Sequence, residues 1–295
     1  MIKSNKANSC KKTYKPLQEL DLIDAFLFGA STEKPQDAEF IAKLIIERAT
    51  NEKLDKISVV SEKEFSGIDI SSHGIRMDLS VEESEEKRLA QVYDIEPNKY
   101  KPSELPMRSR YSQSLTDVKL LKAGEPYESL PKYISIWILP YDPFGKNQML
   151  YTVKNCVEEY PELVYNDGVK RLFLYVGGEL GGTVKLKDML HYFSCSKKGN
   201  ATDADLEQLH SIVENAKHNQ EVGKRYMTLQ DMIDYEKKES FEDGVALGRE
   251  EGRVEGIFIL ISSLKELDIP DEQILNQLME KFSLTKEKAE EYLNN

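Results

Sequence analysis

Ile75-Arg76-Met77-Asp78-Leu79-Ser80-Val81 and Val92-Tyr93-Asp94-Ile95-Glu96-Pro97-Asn98 are two short apolar runs that carry acidic residues, separated by a charged segment over residues 82–87. Their β-branched and aromatic content, broken by charge, predicts a hairpin of two strands joined by a solvated turn. Side chains alternate along a strand. Asp94, Glu96 and Asn98 therefore share one face, Ile95 and Pro97 take the other, and Asp78 points away from Met77 and Leu79. If the two polar faces are the same face of the sheet, Asp78 and Glu96 converge. Two carboxylates so placed form a hard-oxygen site for Mg²⁺ or another divalent cation, which can activate water against a phosphate. The competing reading is a pair of solvent-facing strand carboxylates. Pro97 lacks a backbone donor, which confines this strand to a sheet edge or a bulge.

On the C-terminal side, Arg108-Ser109-Arg110-Tyr111-Ser112-Gln113 opens a predicted helix over residues 108–123, with Tyr111, Leu115, Val118 and Leu121 on its apolar side and Gly124 to stop it. Basic residues at a helix N-terminus oppose the helix dipole, so Arg108 and Arg110 call for a compensating partner: phosphate, or simply solvent. Tyr133-Ile134-Ser135-Ile136-Trp137-Ile138-Leu139 is the most hydrophobic run and reads as a buried central strand. The turn residues Asp142-Pro143-Phe144-Gly145-Lys146 predict that residues 150–155 return beside it, and residues 171–176 supply one more strand. On the N-terminal side lie a strand over 57–61 and an amphipathic helix over 36–51. Residues 17–29 set Asp21 and Asp24 beside Phe26, Leu27 and Phe28, and residues 1–16 form a polar arm.

Beyond Leu186 the pattern is helical: residues 185–192, 203–220, and a long charged helix over 226–258, then short helices to the end. Gly244, Gly248, Gly252 and Gly256 recur every four residues and line one helix face. Each costs roughly 1 kcal/mol against alanine, so the stripe asks for a reason. Close approach of a second helix, giving a homodimer, is one; a degenerate charged repeat that tolerates glycine is the other.

The net charge of −12 argues against a surface that coats nucleic acid throughout, although Lys99, Lys101, Arg108, Arg110, Lys119, Lys122 and Lys132 make residues 99–132 locally basic. No apolar run approaches bilayer length and no signal segment opens the chain, so the expectation is a cytoplasmic protein without membrane contact. Three scattered cysteines and four histidines without metal-ligand spacing indicate neither a disulfide framework nor a zinc site.

Taken in order, Leu22-Ile23-Asp24-Ala25-Phe26-Leu27-Phe28, Arg76-Met77-Asp78, Tyr93-Asp94-Ile95-Glu96, Leu105-Pro106-Met107-Arg108-Ser109-Arg110-Tyr111, Gln113, Asp117, residues 124–127, Asp142-Pro143-Phe144-Gly145, Tyr151-Thr152 and Arg225-Tyr226-Met227-Thr228-Leu229 form an ordered set. That set resembles the PD-(D/E)XK nuclease superfamily, and within it the bacterial recombination-promoting nuclease or putative transposase family. The glycine-rich tail is similar too.

The resemblance implies an α/β fold of restriction-endonuclease type, a mixed central β-sheet flanked by helices, with an all-α C-terminal extension. It implies a Mg²⁺-dependent DNA endonuclease of mobile-element type. The segments divide into an arm (1–16), a nuclease-like core (17–180), a helical extension packed on the core (181–235), and a charged glycine-striped helix with a small helical tail (236–295). Asp78 and Glu96 would hold the metal. Asn98 would place the attacking water, with Gln113 and Asp24 as accessory positions, and Arg108, Arg110, Lys99 and Lys101 would contact DNA. Asn98 departs from the family, which carries Lys or Gln there. An amide can donate a hydrogen bond, but Asn is a methylene shorter than Gln and uncharged. The alternative is therefore a catalytically impaired relative that acts as a DNA- or protein-binding module.

Overall fold

The computed structural model describes residues 15–54, 57–65, 75–85, 88–97 and 102–294. The chain divides into two compact units, the boundary falling between Tyr226 and Met227.

The first unit is α/β. Its strands are β1 (Ile57–Phe65), β2 (Ile75–Glu85), β3 (Arg88–Pro97), β4 (Lys132–Leu139), β5 (Leu150–Val153), β6 (Cys156–Val157), β7 (Tyr160–Val164) and β8 (Val169–Tyr175). Six of them form one mixed sheet in the order β1-β2-β3-β4-β8-β5, and β6 and β7 pair separately. The pairs β1·β2, β2·β3 and β5·β8 are antiparallel, whereas β3·β4 and β4·β8 are parallel.

One sheet face carries Leu79, Val81, Tyr93, Ile95, Ile134, Ile136, Ile138, Leu172 and Leu174. It packs into the main core against helices α1 (Ala25–Ser31), α2 (Pro35–Thr50), α4 (Val184–Ser194) and α5 (Ala204–His218). Local chemistry fixes where these helices begin: Asp24, Thr183 and Asp203 cap α1, α4 and α5 through their side chains, and Pro35 occupies the first turn of α2. Helix α3 (Leu105–Leu120) lies on the opposite face, where Leu105 joins Trp137, Leu139 and Phe173, and Leu120 packs with Val92 and Tyr133. With both faces covered, β4 is buried at every position but Lys132, which accounts for its unbroken apolar run.

The structure departs from the sequence expectations in several places. The charged segment expected as the turn is mostly strand, since β2 extends to Glu85 and β3 begins at Arg88. Residues 150–153 do not pair with β4; β8 lies between them. β3 is an interior strand despite Pro97. The proline is its last residue, beyond the Leu79–Ile95 pair where the β2 ladder ends, so no hydrogen bond from it to β2 is required. Helix α3 starts at Leu105 and buries Ser109, Ser112, Leu115 and Thr116, while Tyr111 and Val118 are exposed.

Helix α6 (Gln220–Glu266) begins in the first unit and continues through the second. In the second unit it packs with α7 (Asp271–Phe282) and α8 (Lys286–Asn294) around Ile257, Ile261, Ile274, Leu278, Ala289 and Leu293. Gly244, Gly248 and Gly252 have open space where a Cβ would project, among the described residues, and Gly256 faces Phe282. No helix among the described residues is long and apolar enough to cross a membrane. Cys156 and Cys195 are free thiols, and Cys10 lies outside the described residues.

Candidate active site

The strand register assembles a polar row under α3. Ser80 pairs with Asp94 across β2·β3, Asp94 with Ser135 across β3·β4, and Ser135 with Arg171 across β4·β8. Side chains directly opposite in register share a face. Two residues along, Glu96 pairs with Trp137 and Trp137 with Phe173. The β2·β3 register ends at Ser80–Asp94 and Leu79–Ile95, one residue short of Asp78 and Glu96, and the charge of Asp78 reaches both Asp94 and Glu96. Asp94 and Glu96 share the face that α3 covers, with the charge of Asp78 close enough to act on both.

This face is buried yet incompletely satisfied. Asp94 is 1% exposed and Glu96 3%. The Tyr133 hydroxyl donates to Asp94 Oδ2 at 2.9 Å, and Arg108 Nη2 lies 3.6 Å from Glu96 Oε2. Asp94 Oδ1, Glu96 Oε1, Ser80 Oγ, Ser135 Oγ and Trp137 Nε1 are buried without a hydrogen-bond partner. Groups of this kind normally find one, because desolvation without compensation is costly. Five on one face mark a polar space shaped for something beyond the chain's own atoms.

Burial and like charge raise both carboxyls above the usual carboxylate range. Burial raises Asp94 to about 7; the Tyr133 hydrogen bond opposes this, the charge of Asp78 adds to it, and Arg108 opposes it. Glu96 is raised well above the usual carboxylate range by burial first, then by the charge of Asp94, with Arg108 pulling the other way. A cation delivered to this face would relieve the desolvation and the like-charge repulsion together.

Asp94 was legible as a neighbour of Glu96 in the alternation, but nothing in the run itself marked it as part of a site. The usable signal is spread over three strands: Ser80, Asp94 and Ser135 are small or polar residues at core-facing positions, and Tyr133 brings a hydroxyl to the same face.

The remaining candidates are dispersed. Asp24 caps α1, accepting from the Phe26 N–H at 2.9 Å, and with Asp21 and Pro140 lines a separate cavity of about 230 Å³. Gln113 uses both ends of its amide: Oε1 accepts from Arg171 Nη2 at 2.7 Å and Nε2 donates to Asp117 at 3.3 Å. Arg110 is exposed on α3. Asn98, Lys99 and Lys101 lie outside the described residues.

Two other stretches of the ordered set hold loops in place. Asp142 accepts hydrogen bonds from the Phe144, Gly145 and Asn147 N–H groups and from the Tyr151 hydroxyl. Against its desolvation, these bonds bring its carboxyl down to about 2. Arg225 pairs with Glu33, and Tyr226 packs on Phe26 while donating to the Lys15 carbonyl.

The donor set on the carboxylate face suits a hard divalent cation: carboxylate oxygens, two of them unpartnered, with hydroxyls alongside. Among the described residues, no three Asp, Glu, His or Cys side chains are gathered so that they could hold an ion. Mg²⁺ characteristically takes one or two carboxylates and completes its shell with water.

Comparison with protein-family models, curated proteins and solved structures returns no match. The site's own geometry carries the functional argument.

Proposed function

We propose that the chain is a Mg²⁺-dependent DNA endonuclease of the mobile-element, recombination-promoting type, its sheet a version of the restriction-endonuclease fold. The observation that supports this reading is the buried pair Asp94 and Glu96, each with one unpartnered carboxylate oxygen, with the charge of Asp78 acting on both. Asp78 and Glu96 hold the cation, which when bound polarises a phosphate and lowers the pKa of a coordinated water. Asn98 orients that water; this role rests on the family resemblance. Arg108 and Arg110 sit on the helix that covers the site and supply phosphate contacts, and Lys99 and Lys101 extend the basic surface. The glycine stripe of α6 is open and available for a homodimer contact.

A second reading is favoured by one observation: Arg108 already neutralises part of Glu96. In that reading the chain is a catalytically impaired relative that keeps the surface for binding DNA or a protein.

The test is incubation of the full chain with supercoiled plasmid in Mg²⁺, Mn²⁺ or chelator. Cation-dependent nicking that Asp78→Ala abolishes, with its circular dichroism spectrum unchanged, supports the endonuclease. Equal nicking by Asp78→Ala and wild type removes it. Binding without cleavage under every condition favours the second reading.

A further inference from the structure

Helix α3 is apolar on the side that faces solvent. Met107 is 60% exposed, Tyr111 40% and Val118 55%, and their spacing of four and seven residues aligns them along one outer stripe. Packing on the sheet does not account for the stripe, because the same helix turns Ser109, Ser112 and Thr116 inward. Arg110 and Lys119 are exposed on the helix with it, and Lys122 just beyond the helix end. The chain as a whole has 52 acidic and 40 basic residues, yet among the described residues 106–124 no Asp or Glu is exposed. Asp117, the one acid there, is half-buried and accepts from Gln113. Tyr127 follows in the short 3-10 turn Tyr127–Ser129 and is 81% exposed.

An apolar stripe accompanied only by positive charge suits a partner that is anionic and also offers apolar surface. Duplex DNA presents phosphates but keeps its base faces stacked inside. A single strand presents both, and proteins meet it with a basic track interleaved with side chains on which bases stack. We propose, resting on the endonuclease reading above, that the outer stripe of α3 binds single-stranded DNA, so that the substrate is DNA with an unpaired segment. Tyr127 supplies a ring for stacking, and Met107, Tyr111 and Val118 supply apolar surface under neighbouring bases. Arg110, Lys119 and Lys122 follow the backbone phosphates. The stripe begins beside the carboxylates: Arg108 follows Met107 in the chain, and its Nη2 lies 3.6 Å from Glu96 Oε2. The 16 residues of α3 span about 24 Å, room for a strand of the ~4 nucleotides that one small binding surface takes. A strand lying along the stripe thus arrives at the carboxylate face around the N-terminal end of the helix.

Fluorescence anisotropy tests this with the full chain and two labelled probes, an oligo-dT of about 12 nucleotides and a mixed-sequence duplex of about 12 base pairs, in chelator so that nothing is cut. Binding needs no cation here, because the stripe lies outside the carboxylate face. Wild type should bind the single strand roughly tenfold or more tightly than the duplex. Tyr127→Ala should weaken the single-strand complex roughly fivefold or more, the loss of one stacked base, and Val118→Ser should weaken it in the same direction, with duplex binding unchanged in both. Lys119→Gln combined with Lys122→Gln should reduce the slope of log affinity against log salt by about 1.4. Tyr160→Ala, at an exposed tyrosine of the acidic β6·β7 hairpin, is the control and should bind as wild type does. Every substituted side chain is exposed, so the circular dichroism spectra should match. Duplex binding as tight as single-strand binding, or a Tyr127→Ala complex as tight as wild type, overturns the substrate class and leaves the endonuclease standing on its cation-dependent nicking. If neither probe binds while nicking that depends on Asp78 persists, this inference falls alone; if nicking is absent as well, both fall.

Discussion

Tyr133 donates its phenolic proton to Asp94 Oδ2 across the parallel β3·β4 pair, from a position two residues before Asp94's own partner, Ser135. Both side chains lie almost wholly out of solvent. The tyrosine is held protonated by burial and by the neighbouring Asp94 carboxylate, so it acts as a fixed donor. This bond settles which oxygen of Asp94 is satisfied and leaves the other directed into the polar space.

Stability should depend on pH through Asp94. Its folded pKa of about 7 lies above the ordinary 3.8, so the folded state binds the extra proton. That contribution is complete below about pH 4 and is lost as pH rises through 7, amounting to roughly 4 kcal/mol at most. Asp94→Asn keeps an acceptor for Tyr133 and removes the buried charge. We expect it to be more stable than wild type at pH 8, with the gain shrinking toward pH 5. Denaturant unfolding followed by fluorescence of the single, buried Trp137 reads the first unit directly. A gain independent of pH would refute the assignment.

Tyr133→Phe removes the donor to Asp94 together with the hydroxyl's hydrogen bond to Ser112, the second of which does not depend on the charge of Asp94. At pH 8 it withdraws a hydrogen bond from a charged group, worth about 1.5–3 kcal/mol, and at pH 5 from a largely neutral one, worth about 1 kcal/mol. The two unfolding experiments should therefore differ. Equal losses at both pH values would mean that Asp94 does not titrate between them.

Gly178 follows β8 at a point where a Cβ would lie 2.6 Å from the Met149 backbone nitrogen and Cα. Backbone atoms cannot give way as a flexible side chain can. Gly178→Ala should cost about 1–3 kcal/mol or more, the range for overpacking. Gly199→Ala, with nothing within 4 Å and no left-handed φ, is the control and should fall within about 0.5 kcal/mol of wild type.

The glycine stripe gives opposite results in its two roles. If the face is merely open, Gly244→Ala, Gly248→Ala and Gly252→Ala each stabilise α6 by up to about 1 kcal/mol and leave the mass in solution unchanged. If a second copy packs there, full-length protein sediments as a dimer at micromolar concentration and Gly248→Leu returns it to monomer. We expect the dimer; a monomeric wild type ends that reading.

The two carboxylate-bearing strands, β4, and the helical character beyond Leu186 were all legible, because each is written in local periodicity. Helix α3 was not. Its apolar residues Tyr111 and Val118 mark the wrong face, since the helix buries Ser109, Ser112 and Thr116 against a sheet face made polar by Ser80, Asp94 and Ser135. A hydrophobic pattern finds the buried side only where the core is hydrophobic. The placement of β5 failed for another reason: pairing beside β8 instead of β4 depends on a connection that returns through β6 and β7, and no local signal encodes it.

By itself the sequence determined the alternation that puts Asp94 and Glu96 on one side of their strand, because that follows from backbone geometry alone. Only the tertiary structure brought the charge of Asp78 to bear on Asp94 and Glu96, since strand pairing is set by contacts that neither run contains. The same structure brought Arg108 from a following helix against Glu96, and Tyr133 from a neighbouring strand against Asp94. Those contacts join residues 12 and 39 positions apart, and their energies come from burial that no isolated segment possesses.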